Sequence, residues 1–328
     1  MFRLFIALVA CASFLHGADP DRHIRKSTPV SSATRLVLNV DVGTIRVQPG
    51  DARTIDVDVY FRGSPRSGAE FDRMRRDFTL DIAQQGLDIR VTGAFRKGWE
   101  PMLISWPVLL GGGHHLCRNG ECLEYGSWLR EVEYRVAVPE KLNADVETSG
   151  GPIYVSGLNG EVNARTSGGG ITLAGSKGKA VVHTSGGPIH IMEVAGDVDA
   201  STSGGGISIE RSSGRVRAHT SGGGIDIREA TGAIDASTSG GGVNASLAAQ
   251  PKEECRLYTS GGSINVSLSK DIHMDLDAST SGGRVWTDFP VSSGGGRRSS
   301  ELRAPLNGGG PRLYLHTSGG GISVRHAD

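Results

Sequence analysis

Between Asn143 and Leu247 hydrophobic and polar positions alternate in short runs that return at a fixed interval. Two residues before a recurring threonine stand Val146, Ala164, Val182, Ala200, Ala218 and Ala236; two further back stand Ala144, Val162, Ala180, Val198, Val216 and Ile234. Beyond the threonine come Ile153, Ile171, Ile189, Ile207, Ile225 and Val243, then Val155, Leu173, Ile191, Ile209, Ile227 and Ala245. Polar residues such as Asp199, Arg217, His219, Ser208 and Asp226 fill the places between. Alternation with a period of two predicts a pair of short strands per unit, each burying one face.

The string Thr-Ser-Gly-Gly begins at residues 148, 166, 184, 202, 220, 238, 259, 280 and 317, with spacings of 18 (five times), 21, 21 and 37. One such unit cannot bury its own apolar face. Stacked units can, in parallel in-register ladders ~4.8 Å apart. The expected fold is therefore all-β: a single-stranded parallel β-solenoid, β-helix-like, built from 18-residue coils. Roughly ten coils would make a rod ~45–50 Å long. Its glycines are expected to supply positive φ at the corners, with Thr and Ser stacking as hydrogen-bonding ladders beside them. The two 21-residue spacings place additions near 248–254 and 269–274. The 37-residue spacing reads as a coil whose turn swells into a loop, 290–311.

Upstream, Leu36, Leu38 and Val40 alternate, then Ile45 and Val47 follow Gly43, and Ile55, Val57 and Val59 continue the pattern. Leu80, Ile82, Leu87, Ile89 and Val91 read as further strand pairs, and 62–76 as a loop or short helix. These are expected to form a wider β-rich N-terminal cap, since a bare solenoid end exposes unpaired strand edges. The organisation that follows is a signal peptide over 1–18, a flexible linker over 19–33, the cap over 34–140 with an insertion at 96–130, and the regular repeat over 141–328.

Arg3, the apolar run Leu4–Leu15 and the small residues after it have the order of a secretory signal peptide, and the run is too short to span a bilayer. Leu8-Val9-Ala10-Cys11 also spells a lipobox, so lipidation of Cys11 is the alternative. Either reading exports the chain to the periplasm, cell envelope or exterior, with no transmembrane span in the mature protein.

Several motifs resemble bacterial Toastrack-type adhesin domains: Leu36–Val47 around Gly43, the entry Tyr134-Arg-Val-Ala-Val-Pro139, the Thr-Ser-Gly-Gly-Gly-Ile units, and Leu306-Asn-Gly-Gly-Gly-Pro311 before the closing repeat. The resemblance covers residues 34–328 apart from the insertion, and brings no catalytic or binding residues with it. It implies an exported β-solenoid with an adhesive or envelope-structural role.

Composition adds three points. Glycine, 49 of 328 residues, is about twice its usual share, and its spacing makes it structural. Lys+Arg and Asp+Glu are 35 each, which argues against a nucleic-acid partner. The cysteines suit an oxidising compartment: Cys117 and Cys122 flank Asn119-Gly120, the dipeptide of type I′ hairpins, in positions suited to a disulfide. Zinc bound with His114 and His115 and free thiols are the weaker alternatives. Cys255 falls on an inward column and reads as a buried solitary thiol, with an intermolecular disulfide as the alternative.

The candidate interaction surface is the insertion, where Trp99, Trp106, Leu109 and Trp128 fall in an irregular segment. The competing reading has it folding back to cover the solenoid. Asp199, Arg217, His219 and Asp235 fall on outward columns and could converge for polysaccharide chemistry, or form a solvated face of mixed charge. The calcium-binding nonapeptide pattern lacks its Asp. The sequence thus leads to an exported, non-enzymatic, adhesin-like or envelope-scaffold rod without catalytic, metal or cofactor residues. Its expected partner is an envelope protein, a cell-surface protein or a glycan, with self-association also open. A carbohydrate-active enzyme and an envelope-stress or assembly component are the alternatives.

Overall fold

The computed structural model describes residues 23–30, 33–63, 68–95, 116–118, 121–123, 129–291 and 299–327. Each repeat gives one strand to each of two sheets, as in Val162–Thr166 followed by Ile171–Ser176. Among the described residues both sheets have thirteen strands. Neighbouring coils pair in parallel, shifted by one repeat, so that Thr148, Thr166, Thr184 and Thr202 face one another in turn. The fold is a β-solenoid, and its core is the stack of inward columns. Volume is held level along it by exchange: Ala144 with Val146, Val162 with Ala164, Ala180 with Val182, Val198 with Ala200. Each pair is one small and one larger side chain, and all are buried.

The glycines act differently from the expectation. Apart from Gly151 (φ 111°) in the first motif, the second Gly of each motif is not held at positive φ. A Cβ on Gly169, Gly187, Gly205, Gly223 or Gly241 would instead lie 2.0–2.3 Å from the carbonyl oxygen of the equivalent glycine one coil back. Close approach of backbones excludes a side chain there. Positive φ falls on another column, one per coil: Gly157 and Gly175, then Glu193, Arg211 and Glu229.

The threonines do not bond to one another either. Each buried hydroxyl brackets two coils. Thr202 Oγ1 donates to the Gly187 carbonyl of the preceding coil (3.0 Å) and accepts the N–H of Gly205 in its own (3.4 Å). Thr184, Thr220 and Thr238 repeat the bracket. The serine beside each is mostly exposed.

Both ends depart from simple stacking. At the N-terminal end the coil Arg35–Val40 and Thr44–Pro49 lies against the first repeat. Outside it run Asp88–Phe95 and Leu129–Val138, still parallel. Antiparallel strands follow: Phe78–Gln85 on one sheet, Thr54–Gly63 and then His23–Pro29 on the other. The β-rich end is thus closed by antiparallel strands, because an antiparallel neighbour needs no crossover to pair the edge. Phe61, Phe71, Phe78 and Tyr134 fill it, with Phe71 and Met74 supplied by the helix Gly68–Asp77. Gly43 (φ 141°) and Gly93 make room for the Tyr134 ring, which a Cβ at Gly93 would approach to 2.5 Å.

At the C-terminal end the coils change order. Arg312–Thr317 and Ile322–His326 slide between Cys255–Thr259/Ile264–Leu268 and Met274–Thr280/Val285–Thr287. The threonine bracket follows this order, Thr317 donating to Gly262 and Thr280 to Gly320 (both 2.7 Å). The 37-residue spacing is therefore a passage out and back. It includes Glu301–Leu306, antiparallel to Met274–Thr280 as an outer edge, so the segment is more than the expected loop. Asn307, Gly308 and Gly309 turn the chain at positive φ, and Asn307 Nδ2 donates to the carbonyls of Lys270 (2.9 Å) and Ile272 (2.8 Å). The two long corners are tied together by Gln250, which exchanges hydrogen bonds with the backbone of His273.

Candidate interaction surface

Strand alternation delivers side chains outward at every second position, and in-register stacking lines them up along the rod. On one sheet Asp199, Arg217, Asp235, Arg256 and Tyr314 form one outward line, and Ser201, His219, Ser237, Tyr258 and His316 the next. The structure therefore brings Asp199, Arg217, His219 and Asp235 onto one face. Asp199, Arg217 and Asp235 are register neighbours, yet among the described residues no ion pair joins them. His183, His219 and His316 each hold Nδ1 2.8 Å from a serine hydroxyl, of Ser201, Ser237 and Ser279. Among the described residues no carboxylate hydrogen-bonds the far nitrogen of His183 or His219, so the third member of a triad is not assembled there. Tyr258 stacks on His316 with ring centroids 5.6 Å apart. Beside them the 248–254 addition raises one wall of a notch of about 200 Å³, lined by Arg215, Asp235, Glu253, Glu254 and Arg256.

A second cluster, on the other sheet near the N-terminal end, is absent from the sequence reading. Glu133 is 3% exposed. Its carboxylate accepts hydrogen bonds from the Nε of Arg46 (2.9 Å), Arg62 (2.9 Å) and Arg135 (3.0 Å). Burial opposes ionisation of Glu133, but the hydrogen bonds from Arg135 and Arg62 and their charges outweigh it, bringing its pKa down to about 2. The guanidinium of Arg46 lies 4.0 Å over the Tyr154 ring and that of Arg135 4.6 Å over Tyr60. The only local hint is the alternation Glu131-Val-Glu133-Tyr-Arg135; Arg46 and Arg62 come from remote strands.

The insertion is largely outside the described residues, and with it Trp99, Trp106, Leu109 and Trp128, as are Cys11 and the leader. Within it the strands Leu116–Arg118 and Glu121–Leu123 pair antiparallel with Cys117 opposite Cys122, while the thiol side chains themselves are outside the description. Cys255 is a buried free thiol, and burial pushes its pKa up. Among the described residues no three potential ligands group to hold a metal ion, and no helix is long and apolar enough to cross a membrane.

The family model described as Toastrack DUF4097 matches residues 33–325. Among curated proteins none matches the chain. Solved structures with a similar course include one provisionally named an adhesin, from Bacteroides fragilis, at 13% identity (94% of this chain, 98% of that one, TM-score 0.42). Another, from Parabacteroides distasonis, is provisionally named lipid-binding, at 11% identity (94% and 98%, TM-score 0.44). A third, from Clostridium sporogenes, is provisionally named a cell adhesion protein, at 11% identity (93% and 100%, TM-score 0.22).

Proposed function

The chain belongs to the Toastrack DUF4097 family, matching it over residues 33–325, and from that premise we propose that it is an exported, non-enzymatic, adhesin-like or cell-envelope scaffold protein. It presents its faces and loops on a rigid rod to an envelope protein, a cell-surface protein or a glycan. The observation that carries this reading is the unbroken stack from Arg35 to His326, in which the repeats from Thr166 onward are bracketed to their neighbours through a buried threonine. Such a stack holds outward side chains at fixed spacing over its whole length, as a multivalent contact with an extended surface requires. The leader at 1–18 supplies export, the Cys117–Cys122 disulfide fits an oxidising compartment, and the tryptophans of the insertion add a contact surface.

The test is retention of the purified mature protein on cell-envelope fractions and a glycan panel, alongside protease shaving of intact cells. Saturable retention and surface cleavage are expected. A chain recovered only from the cytoplasm, or binding no envelope fraction, would sink the reading. The unpaired Asp199–Arg217–Asp235 line favours a second reading, a carbohydrate-active enzyme. Polysaccharide cleavage that disappears with Asp199→Ala would install it in place of the first.

A further inference from the structure

Three guanidiniums converge on Glu133, and a single carboxylate cannot neutralise them. Arg46, Arg62 and Arg135 carry three positive charges against one buried negative charge. Their side chains remain 45%, 45% and 46% exposed while that of Glu133 is 4% exposed. The acid lies beneath and the bases lie above. Glu131 offsets part of the excess: it accepts the Thr44 hydroxyl (2.6 Å) and lies 3.9 Å from Arg62 Nε. Asp58 is engaged 3.7 Å from Arg25. One surplus charge remains on Arg46, Arg62 and Arg135 taken with Glu131 and Glu133.

Holding a buried carboxylate requires one well-placed arginine; gathering three brings like charges together, which costs stability unless an anion is shared among them. Arg46 uses Nε on Glu133, leaving its two terminal nitrogens free to donate elsewhere. Tyr154 and Tyr60 fix the planes of Arg46 and Arg135 from beneath. The donors are therefore set before any ligand arrives.

The neighbourhood indicates what carries the anion. In register beyond Arg46 and Tyr154 run Thr172, His190, Ser208, Asp226, Asn244 and Asn265, an outward line of hydroxyls, amides and a few titratable groups along the rod. We propose that the Arg46–Arg62–Arg135 cluster is an anion subsite for an acidic glycan, taking a sulfate or carboxylate group while the hydroxylated chain extends along this polar line. The proposal deepens the surface-binding reading and rests on it.

The test measures binding of the full mature chain to dextran sulfate and to uncharged dextran of matched length, at low and high salt. Dextran sulfate should bind, weaken with salt and outcompete dextran. Arg46→Gln with Arg135→Gln should lower its affinity at least about tenfold, whereas Arg303→Gln with Arg325→Gln, remote exposed arginines, should leave it nearly unchanged. Because the glutamines strip partners from Glu133, Arg46→Lys with Arg135→Lys serves as the folded check. It keeps both charges but loses the planar fork, and should bind more weakly than the parent at an unchanged melting temperature. Equal losses in the remote pair, equal binding of duplex DNA, or preference for anionic vesicles over dextran sulfate would overturn the assignment. Envelope retention that persists in the glutamine pair would sink this site and leave the adhesin-like reading standing. Dextran sulfate binding without envelope retention would do the reverse.

Discussion

At the scale of single residues, two glycines of one coil turn have opposite reasons to be glycine. Gly187 has the carbonyl oxygen of Gly169 2.3 Å from where its Cβ would be, whereas a Cβ on Gly175 (φ 69°) would meet its nearest neighbour, the Gly157 backbone, at an ordinary 3.7 Å. Gly175→Ala should cost about 1–2 kcal/mol, the usual penalty for a left-handed L-residue. Gly187→Ala forces two coils apart and should cost at least about twice that; urea midpoints compare them, and equal losses would contradict the close-approach account. The tolerance of the first column is visible in the chain, since Glu193, Arg211 and Glu229 occupy it at φ 53–58°. The threonine bracket gives a second contrast. Thr202→Val keeps the shape but leaves the Gly187 carbonyl and the Gly205 N–H without their hydroxyl, at roughly 1–3 kcal/mol. Thr202→Ser retains both bonds and should lose only about 1 kcal/mol for the missing methyl. Similar losses for the two variants would mean that the hydroxyl contributes little.

Between elements, Glu133 joins strands that the repeat does not reach. Its pKa is lowered from 4.5 to about 2, so its stabilisation is complete above about pH 4.5 and is lost as pH falls toward 2. The pH-dependent part is roughly 3 kcal/mol. Glu133→Gln should cost about 3–5 kcal/mol at neutral pH by leaving three arginines around a neutral amide, and should remove that acid-sensitive component. Melting temperature against pH measures both. The cluster was not legible in the sequence: Glu133 and Arg135 share the strand Leu129–Val138, but Arg46 reaches it from a parallel neighbour and Arg62 from an antiparallel one, both remote along the chain. Alternation at Ile55, Val57 and Val59 reads the same whether the neighbour runs parallel or antiparallel, so strands were legible there and their partners were not. The repeats were legible because in-register stacking copies one residue's environment into the next coil: Ile171, Ile189 and Ile207 are the same site three times. The Asp199–Arg217–Asp235 face followed from that copying alone. The role of the glycines did not, since a glycine forced by φ and one forced by a passing backbone are written with the same letter.

At the scale of the whole molecule, sequence order and spatial order part at the C-terminal end. Spacings of 21 put Thr280 where it could stack directly on Thr259, yet Thr317 lies between them. A chain ending at Pro311 therefore loses a coil from inside the stack. It should melt markedly lower and self-associate through the unpaired strand edges; an unchanged melting temperature and a monomeric elution volume would show that the earlier coils close up unaided. Chains grow and fold from the N-terminus, so the coil Met274–Thr280/Val285–Thr287 is made before the layer on which it finally rests. It can wait undocked or settle first on Cys255–Thr259/Ile264–Leu268 and then be displaced. On either route the final docking of this coil waits for Arg312–Thr317 and Ile322–His326 to be made. A chain cut short by a ribosome stall or a protease would carry the defect inside its stack, where quality control can recognise the open seam.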